Sequence, residues 1–379
     1  MSGDPLGRVR AALAAREAAG LSRMLRPRPA AEDVLDLASN DYLGLCRDQR
    51  VTSAAAEAAR TWGAGSTGSR LVTGTIELHR ELEDALAGFT GAAAALVFSS
   101  GYLANLGAIA TLGGPDVTVI SDSVNHASIV DACRLSRSAV VITEHRAVEK
   151  VAAALETADT EHALVITDAV FSVDGDLAPL AELHAVTRAH RALLIVDEAH
   201  ALGVIGDRGE GAVAAAGLAG QPDIVQTLTL SKSLGSQGGA VLGEPEIVEL
   251  LVNTARAFIF DTALAPAPAA AALAALRILQ DEPERAGAVR ANARALADLV
   301  RDLGVETVRP DAAVVPAVLG DPRRAVLAAA RCLELGVRVG CFRPPSVAPD
   351  RSCLRLTARA DLSAADLQRA GAVLGQALG

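Results

Sequence analysis

The alternation of short apolar strands with helices between residues 93 and 243 constrains the fold of this chain more than any other feature. The predicted strands are continuously apolar, and helical patterns separate most of them. They cover residues 93–98, 117–120, 139–142, 163–167, 192–197, 223–230 and 238–243. Strands of this kind are buried on both faces, as in a mainly parallel sheet that is covered by helices. The sequence therefore predicts an α/β fold.

Polar side chains follow several of these strands. Asp122, Asn125 and His126 come after one predicted strand, Ser172 after another, and residues 197–200 (Asp-Glu-Ala-His) after a third. Each alone is compatible with a helix cap or a surface pair, and a lone histidine is more often structural than catalytic. The carboxyl ends of parallel strands meet at one edge of a sheet, where ligands bind. This convergence favours a functional site.

Lys232 lies between two of the predicted strands and is one of only two lysines, the other being Lys150. A lone lysine is ordinarily solvated, but the apolar strands on either side place Lys232 on a connection between buried elements. Burial lowers the pKa of a lysine amine and makes it a nucleophile toward carbonyl groups. Thr229 and Ser231 are then available to hold an anionic group nearby.

Two glycine-containing stretches are candidate ligand loops. A predicted strand leads into Ser100, Gly101 and Tyr102 at the start of a helix, where N–H groups and the helix dipole favour an anion, although a plain N-cap would look the same. Residues 63–74, which include Arg70, form either a flexible loop or a ligand-contacting loop. They are not a Walker loop, because no lysine follows the glycines. A helical pattern precedes them, so they do not fit a dinucleotide fingerprint either.

Composition excludes several classes of protein. The formal net charge of -10 discourages binding to nucleic acid or anionic membranes, and no uncharged run is long enough to span a bilayer. The N-terminus lacks the apolar core of a signal peptide. The five cysteines are odd in number and show no metal-ligand spacing, so neither a disulfide framework nor a metal site is predicted. We therefore expect a cytoplasmic protein.

Three segments are predicted along the chain. Residues 1–38 form an N-terminal helical segment, and residues 39–282 form the large sheet-containing domain. Pro283 marks a boundary, because the pattern after it changes to the helices and strands of a smaller α+β domain, residues 283–379. A chain of this length commonly divides into a large and a small domain.

Three polar residues outside the large sheet are also candidates for a functional role. Arg23 lies in an amphipathic helix predicted at residues 8–26, where any arginine can simply face solvent. Asn40 lies in a polar turn that suits either a helix cap or a substrate carboxylate. Arg355 stands between the apolar Leu354 and Leu356 on a predicted strand, so it points into a cleft or into solvent.

Six motifs in a fixed order resemble those of the α-oxoamine synthases, which are fold-type I pyridoxal 5'-phosphate (PLP) enzymes. They are SNDYLG at 39–44, GSTGSR at 65–70, SGYLAN at 100–105, DEAH at 197–200, TLSKSLG at 229–235 and FRPPS at 342–346. Each is a modest signal alone, but together they cover nearly the whole chain. The resemblance implies the PLP-dependent transferase fold of type I and PLP as cofactor. Ala201 and Ser346 depart from the glycine and threonine that are usual in the family.

The resemblance also implies roles for individual residues. Lys232 is expected to bind PLP covalently and later to move the Cα proton of the substrate, Asp197 to keep the pyridine nitrogen protonated, and His126 to stack on the ring. The other residues expected at the cofactor are Ser100, Gly101, Tyr102, Ser172, His200, Thr229 and Ser231. Those expected at the substrates are Arg23, Asn40, Ser346 and Arg355.

The reaction implied by the resemblance is the condensation of L-alanine with a pimeloyl thioester, carried by CoA or a carrier protein, in biotin synthesis. A relative that uses glycine or serine with another acyl thioester remains an alternative. So does a non-catalytic regulatory subunit of the same fold, although Lys232 argues against it. Family members are homodimers with shared sites, so residues 63–74 and 258–262 are expected to serve the neighbouring subunit.

Overall fold

Helices and strands alternate along most of the chain in the computed structural model, which describes residues 4–378. In chain order they are α1 (Gly7–Ala18), β1 (Leu35–Leu37), α2 (Gln49–Trp62), α3 (Glu77–Thr90), β2 (Ala94–Phe98), α4 (Gly101–Leu112), β3 (Val117–Asp122), α5 (Ala127–Ser136), β4 (Ala139–Thr143), α6 (Val148–Glu156), β5 (His162–Asp168), α7 (Leu180–Ala189), β6 (Leu193–Asp197), α8 (Ala212–Ala215), β7 (Ile224–Thr229), β8 (Gly239–Gly243), α9 (Pro245–Thr254), α10 (Arg256–Ile259), α11 (Pro266–Asp281), α12 (Glu284–Asp302), β9 (Val314–Gly320), α13 (Pro322–Glu334), β10 (Val337–Phe342), β11 (Ser352–Thr357) and α14 (Ala364–Leu378). A π-helical turn, Arg70–Gly74, lies between α2 and α3.

The larger sheet has the strand order β2-β8-β7-β6-β5-β3-β4. Strands β7, β6, β5, β3 and β4 are parallel to one another, whereas β8 runs antiparallel to both β7 and β2. The connection between Thr229 and Gly239 is too short for the crossover that parallel neighbours need, so β8 must reverse direction. The strands of the larger sheet are mostly buried, apart from the exposed edge strand β4. The predicted α/β class with a mainly parallel sheet is confirmed.

The smaller sheet has the order β1-β10-β11-β9. Strands β10, β11 and β9 are antiparallel and come from the segment beyond Pro283, while β1 pairs with β10 in parallel. The N-terminal segment 1–38, predicted as helical, therefore also supplies one strand to this sheet. Helices α12, α13 and α14 pack on the smaller sheet and on one another.

The first helix is shorter than predicted. It ends at Ala18 instead of residue 26, and Gly20 follows with a φ of +67°, a left-handed value that breaks the helix. None of its residues is buried, and its apolar Val9 and Leu13 are 52% and 61% exposed. Arg23 consequently lies in an irregular segment. Among the described helices, none is both long and apolar enough to cross a bilayer.

Candidate active site

An inner cavity of about 260 Å³ opens at the carboxyl edge of the larger sheet. The starts of α4 and α5 and the segments that follow β6 and β7 supply most of its walls. Its lining residues are Ser100, Gly101, Tyr102, Asn105, His126, Ser128, Asp168, Asp197, Ala199, His200, Thr229, Ser231 and Lys232. The fold thus brings together every residue predicted at the cofactor except Ser172.

Lys232 lies in the short connection that joins β7 to β8. Desolvation lowers the pKa of its ammonium to about 8; the charge of Arg355 acts in the same direction, and the carboxylates of Asp197 and Asp168 oppose it. A lysine with such a pKa has a substantial uncharged fraction near neutral pH. The uncharged amine is the nucleophilic form.

Asp197 is the last residue of β6, and its side chain is buried at the cavity. Its Oδ2 accepts a hydrogen bond from the Asn105 amide at 2.7 Å, and its Oδ1 accepts one from the Ala199 N–H at 2.8 Å. The carboxylate is therefore held in one orientation by donors on both oxygens. Such a group can accept a further hydrogen bond from a protonated ring nitrogen.

Asn105 links the two sides of the inner cavity, and the sequence analysis did not select it as a site residue. Its amide also donates to Ser128 Oγ at 2.9 Å, and its carbonyl oxygen accepts from Thr227 Oγ1 at 2.6 Å. Ser128 Oγ in turn lies 2.7 Å from Nδ1 of His126. A continuous hydrogen-bond network therefore joins Asp197 to His126.

Asp168 is a second residue that the sequence analysis missed. It ends β5 directly opposite Asp197 in the sheet register, and the strand-end reasoning applied to its neighbours would have identified it. Burial and the adjacent carboxylate of Asp197 raise the pKa of Asp168 well above its usual range. Its Oδ2 accepts from the backbone N–H of His126 at 2.9 Å. Asp168 thus holds the start of α5 against the edge of the sheet beside Asp197.

The start of α4 closes one end of the inner cavity. Ser100 is the N-cap, with Oγ accepting from the Leu103 N–H at 3.2 Å. A Cβ at Gly101 would lie 2.9 Å from Cβ of Thr229, so glycine allows the helix to approach the end of β7 this closely. The hydroxyl oxygens of Thr229 and Ser231 are 2.7 Å apart at the same end. N–H groups of a first helical turn lack intrahelical acceptors, so this end suits a phosphate.

His200 is buried beside Tyr42, another residue that the sequence analysis did not select. The Tyr42 hydroxyl and His200 Nδ1 are 2.5 Å apart. Burial, together with the charges of Lys232, Arg355 and His126, lowers the pKa of His200 well below its usual value. The ring is therefore neutral, and Tyr42 fixes its orientation.

An outer groove of about 660 Å³ adjoins the inner cavity. The two share His126, His200 and Lys232 as lining residues. The groove is lined by Asn40, Ser123, Val124, Asn125, His126, Ala127, Val130, Asp131, Arg134, Ser172, Val173, His200, Lys232, Phe342, Pro345, Ser346 and Arg355. Three of the four residues predicted at the substrates, and Ser172, are therefore in this groove.

Arg355 is 6% exposed and lies on β11 at the wall of the groove. Its guanidinium donates to the Ser172 carbonyl at 2.8 Å and to Asn40 Oδ1 at 2.7 Å, and it stacks 4.4 Å from the ring centre of Phe342. The sequence left open whether Arg355 points into a cleft or into solvent, and the structure places it in the cleft. A planar, oriented guanidinium is suited to a carboxylate ligand.

Two arginines that the sequence singled out lie elsewhere. Arg23 is exposed and does not line either the inner cavity or the outer groove. Arg70 has a side chain only 8% exposed, donates to Glu83 at 2.9 Å and to the Val97 carbonyl at 3.1 Å, and stacks on Phe258. Within the described chain Arg70 therefore holds the 63–74 loop in place.

The fold agrees with comparisons against known proteins. The family described as aminotransferase class I and II matches residues 32–374. An 8-amino-7-oxononanoate synthase from Mycolicibacterium gilvum is 59% identical over 96% of this chain and 94% of its own.

Solved structures give the same result. Structures of serine palmitoyltransferase, one from Sphingomonas wittichii and one with its PLP internal aldimine, superpose with a TM-score of 0.92 at 32% identity, covering 99% of this chain and 98% of theirs. An 8-amino-7-oxononanoate synthase from Francisella tularensis gives a TM-score of 0.77 at 25% identity, covering 91% of this chain and 98% of that one. The chain belongs to the class I and II aminotransferase family and, within it, to the 8-amino-7-oxononanoate synthases.

The residues of the inner cavity fit PLP. The start of α4 with Thr229 and Ser231 forms an anion site at one end, and Lys232 offers an amine for an aldehyde. Asp197 offers a fixed acceptor for a pyridinium N–H, and the exposed ring of His126 forms part of the wall. Phosphate, aldehyde and pyridine nitrogen each have a chemically matched partner.

Proposed function

We propose that this chain condenses L-alanine with a pimeloyl thioester, on CoA or a carrier protein, and uses PLP as cofactor. The products are 8-amino-7-oxononanoate, CO2 and the free thiol, as the names of its relatives suggest. One observation carries the proposal: Lys232 lies on the wall that the inner cavity and the outer groove share. A single amine thus faces both a cofactor cavity and a substrate cleft.

The inner cavity holds the cofactor in this proposal. Lys232 binds the aldehyde carbon, Asp197 accepts a hydrogen bond from the ring nitrogen, and residues 100–102 with Thr229 and Ser231 bind the phosphate. When bound, PLP supplies an electron-withdrawing ring that stabilises negative charge at the amino-acid Cα. The fixed carboxylate of Asp197 keeps the ring protonated and so maintains that electron withdrawal.

Three further residues orient the ring. His126 packs on its face, held there by Ser128 through the 2.7 Å contact at Nδ1. His200, held neutral beside Tyr42, and Ser172 approach the phenolic oxygen. A neutral imidazole whose Nδ1 accepts from the Tyr42 hydroxyl carries its proton on Nε2, which can donate a hydrogen bond to this oxygen.

The outer groove holds the substrates. Arg355 and Asn40 bind the carboxylate of L-alanine, which places the amino-acid Cα beside Lys232. With the cofactor bound, the amine of Lys232 would be placed to take the proton from the amino-acid Cα. Ser346, an exposed lining residue of the groove, contacts the acyl donor in this proposal, and Arg23, which lines neither the cavity nor the groove, is assigned to that donor from the family resemblance alone.

The proposed enzyme is a homodimer. The turn Arg70–Gly74 contacts α10, and around this contact Leu71, Val72 and Phe260 are 53%, 78% and 71% exposed. Neighbouring exposed apolar side chains of this kind are typical of subunit interfaces. Residues 63–74 and 258–262 therefore face the partner subunit in this proposal.

We also propose that the enzyme works in the cytoplasm, with segments 1–38, 39–282 and 283–379 as its structural units. Its five cysteines are all unpaired thiols, which suits a reducing compartment. The two sheets support a division near Pro283, although β1 of the first segment joins the smaller sheet.

The test is thiol release by the PLP-loaded protein. Pimeloyl-CoA is offered with L-alanine, glycine or L-serine, and acetyl-CoA and palmitoyl-CoA serve as rival donors. Release confined to pimeloyl-CoA with L-alanine is expected. A parallel assay with a pimeloyl carrier protein determines which carrier is preferred.

A second candidate is suggested by the superposition on serine palmitoyltransferase. If L-serine with palmitoyl-CoA released thiol faster than L-alanine with pimeloyl-CoA, the chain would belong to that related reaction. If no pair released thiol and no visible absorption band from bound cofactor formed, the chain would instead be a non-catalytic member of the fold.

A further inference from the structure

The outer groove contains an arginine, Arg134, that the proposed function does not use. Among the described residues that line the groove, the side chains of Lys232, Arg355 and Arg134 are the permanent or titratable cations besides histidine. In the proposed function, Lys232 serves the cofactor and Arg355 binds the carboxylate of L-alanine. Because the chain carries a formal net charge of -10, an anionic ligand must meet a locally placed cation, and Arg134 is the cation of the groove that has no role so far.

Arg134 lies on the same face of α5 as His126, which lines both the inner cavity and the outer groove together with Lys232. His126, Val130 and Arg134 are spaced four residues apart and all line the groove. Eight residues of helix advance about 12 Å, and helical side chains lean back toward the N-terminus. The Arg134 side chain leans in this direction, because its guanidinium pairs with Asp131, three residues toward the N-terminus of α5.

The groove between these two ends includes apolar walls. Val124, Val130, Val173 and Phe342 line it, and Val124 is 43% exposed although it is a large apolar residue. Apolar walls favour a methylene chain over the polar amides of a pantetheine arm. The groove is thus lined by a reactive amine, apolar side chains and a cation, and Val130 lies between His126 and Arg134 along α5.

We propose that Arg134 binds the terminal carboxylate of a dicarboxylic acyl chain whose thioester carbon lies at Lys232. This proposal rests on the proposed function and adds a specificity residue to it. Six C–C bonds of about 1.5 Å span about 7.5 Å when extended, and the lean of the Arg134 side chain shortens the helical advance of about 12 Å toward that length. The first phosphate of CoA lies on the far side of the thioester sulfur, beyond the whole pantetheine arm.

The ordinary interpretation of Arg134 is a solvated arginine in the last turn of a helix. Its side chain is 76% exposed and pairs with Asp131 at 3.3 Å, while the Tyr102 hydroxyl donates to the other oxygen of Asp131 at 2.5 Å. An exposed pair of this kind contributes little stability, so a substrate carboxylate can share the guanidinium. Asp131, fixed by Tyr102, then keeps Arg134 directed along the groove.

The test compares two donors on two variants. Arg134→Gln and the wild type are assayed with L-alanine and either pimeloyl-CoA or its methyl ester, which has the same chain without the terminal charge. Arg301→Gln is the matched control, because Arg301 is also in the last turn of its helix and pairs with Asp298 three residues earlier.

We expect Arg134→Gln to raise the KM for pimeloyl-CoA about tenfold or more and to leave the KM for the methyl ester unchanged. The wild-type preference for the charged donor should disappear in this variant, and Arg134→Lys should restore part of it. The KM for L-alanine and the absorption spectrum of bound cofactor should stay the same in every variant.

Equal losses with both donors would overturn the proposal, because Arg134 would then contact a CoA phosphate or support the fold. An unchanged KM for pimeloyl-CoA, or an effect equal to that of Arg301→Gln, would overturn it as well. Failure of the proposed function itself is distinct, since it would appear as absent thiol release in the wild type with either pimeloyl donor.

Discussion

At the scale of single residues, the proposed chemistry depends on one of two lysines. Lys232 lies where desolvation lowers its pKa to about 8, whereas Lys150 is exposed on α6. The difference arises from the elements around each residue, because the two side chains are chemically identical. The orientations of Asp197 and His126 also depend on the surrounding elements. Asn105 donates to Asp197 and to Ser128, and Ser128 contacts His126.

Lys232→Ala is expected to lower thiol release by at least about 10³-fold, since it removes both the covalent attachment of the cofactor and the proton-transfer group. Reduction with borohydride should no longer fix PLP to the protein. Lys150→Ala is the control and should behave as the wild type in both assays. Retained turnover in Lys232→Ala would show that another group does the chemistry.

Asn105→Ala should weaken cofactor binding and destabilise the protein. It leaves Thr227 without its acceptor and Asp197 without a donor in a buried site, which costs about 1 to 3 kcal/mol of unfolding free energy. Urea denaturation of the cofactor-free protein measures the stability, and an absorbance titration with PLP measures the affinity. Asn253→Ala, on an exposed helix surface, should change neither. A variant as stable as the wild type would argue against the network.

At the scale of elements, polar residues at the ends of parallel strands are tied together as well as directed at the site. His145, just after β4, contacts Asp122 at the end of β3 at 3.0 Å through Nδ1 and Asp176 in the segment after β5 at 2.9 Å through Nε2. Arg146 also donates to both aspartates, and the edge of the imidazole packs on Phe171. Since both ring nitrogens face carboxylates, the imidazolium form is favoured.

This cluster predicts a pH dependence of stability. Burial opposes the charge on His145, but hydrogen bonds to Asp122 and Asp176 outweigh it and raise the pKa of His145 to about 9. A pKa raised above the unfolded value of about 6.5 gives stability that is complete below pH 6.5 and is lost as pH rises through 9.

The measurement is the free energy of unfolding between pH 6.5 and 9.5 for the wild type and His145→Gln. The wild type should lose on the order of 1 to 2 kcal/mol more than the variant over this range, after allowance for partial exposure. His190→Gln, which alters an exposed histidine that contacts the Val186 carbonyl, serves as the control. Parallel curves for wild type and His145→Gln would contradict the role of the cluster.

At the scale of the whole molecule, two sheets form the site together. Arg355 comes from the smaller sheet, Ser172 follows a strand of the larger sheet, and Asn40 follows β1; the three are joined by two hydrogen bonds. In the proposed dimer, the exposed apolar surface formed by Leu71, Val72 and Phe260 contacts a second copy of the chain, so the complete site also depends on that copy.

Val72→Asp and Phe260→Asp should each weaken the dimer, because a charge is placed in an apolar interface. Sedimentation is expected to show a shift from two chains to one at micromolar concentration, with a parallel loss of thiol release. Leu327→Asp alters an equally exposed apolar residue, at 70% exposure, on α13 and should leave the mass unchanged. An intact dimer in the Val72 and Phe260 variants would place the interface elsewhere.

The sequence by itself determined the elements of the large sheet and the family. Apolar strands and the helices between them can be recognised from the pattern of neighbouring residues. The order of six motifs identified the family, which the comparisons confirm. The prediction from the sequence was wrong where an apolar pattern had no other element to pack against. The predicted helix over residues 8–26 stops at Ala18, and its apolar side chains remain exposed.

Only the tertiary structure decided which polar residues act together. Asp168 and Asp197 face each other because β5 and β6 are paired in one register, and Asn105 bridges Thr227, Asp197 and Ser128 from a helix that packs across the strand ends. Hydrogen bonds and desolvation depend on distances between segments that are remote in sequence, and no local pattern encodes them. The types of residue at the site are therefore a property of the sequence, while their protonation and orientation are a property of the fold.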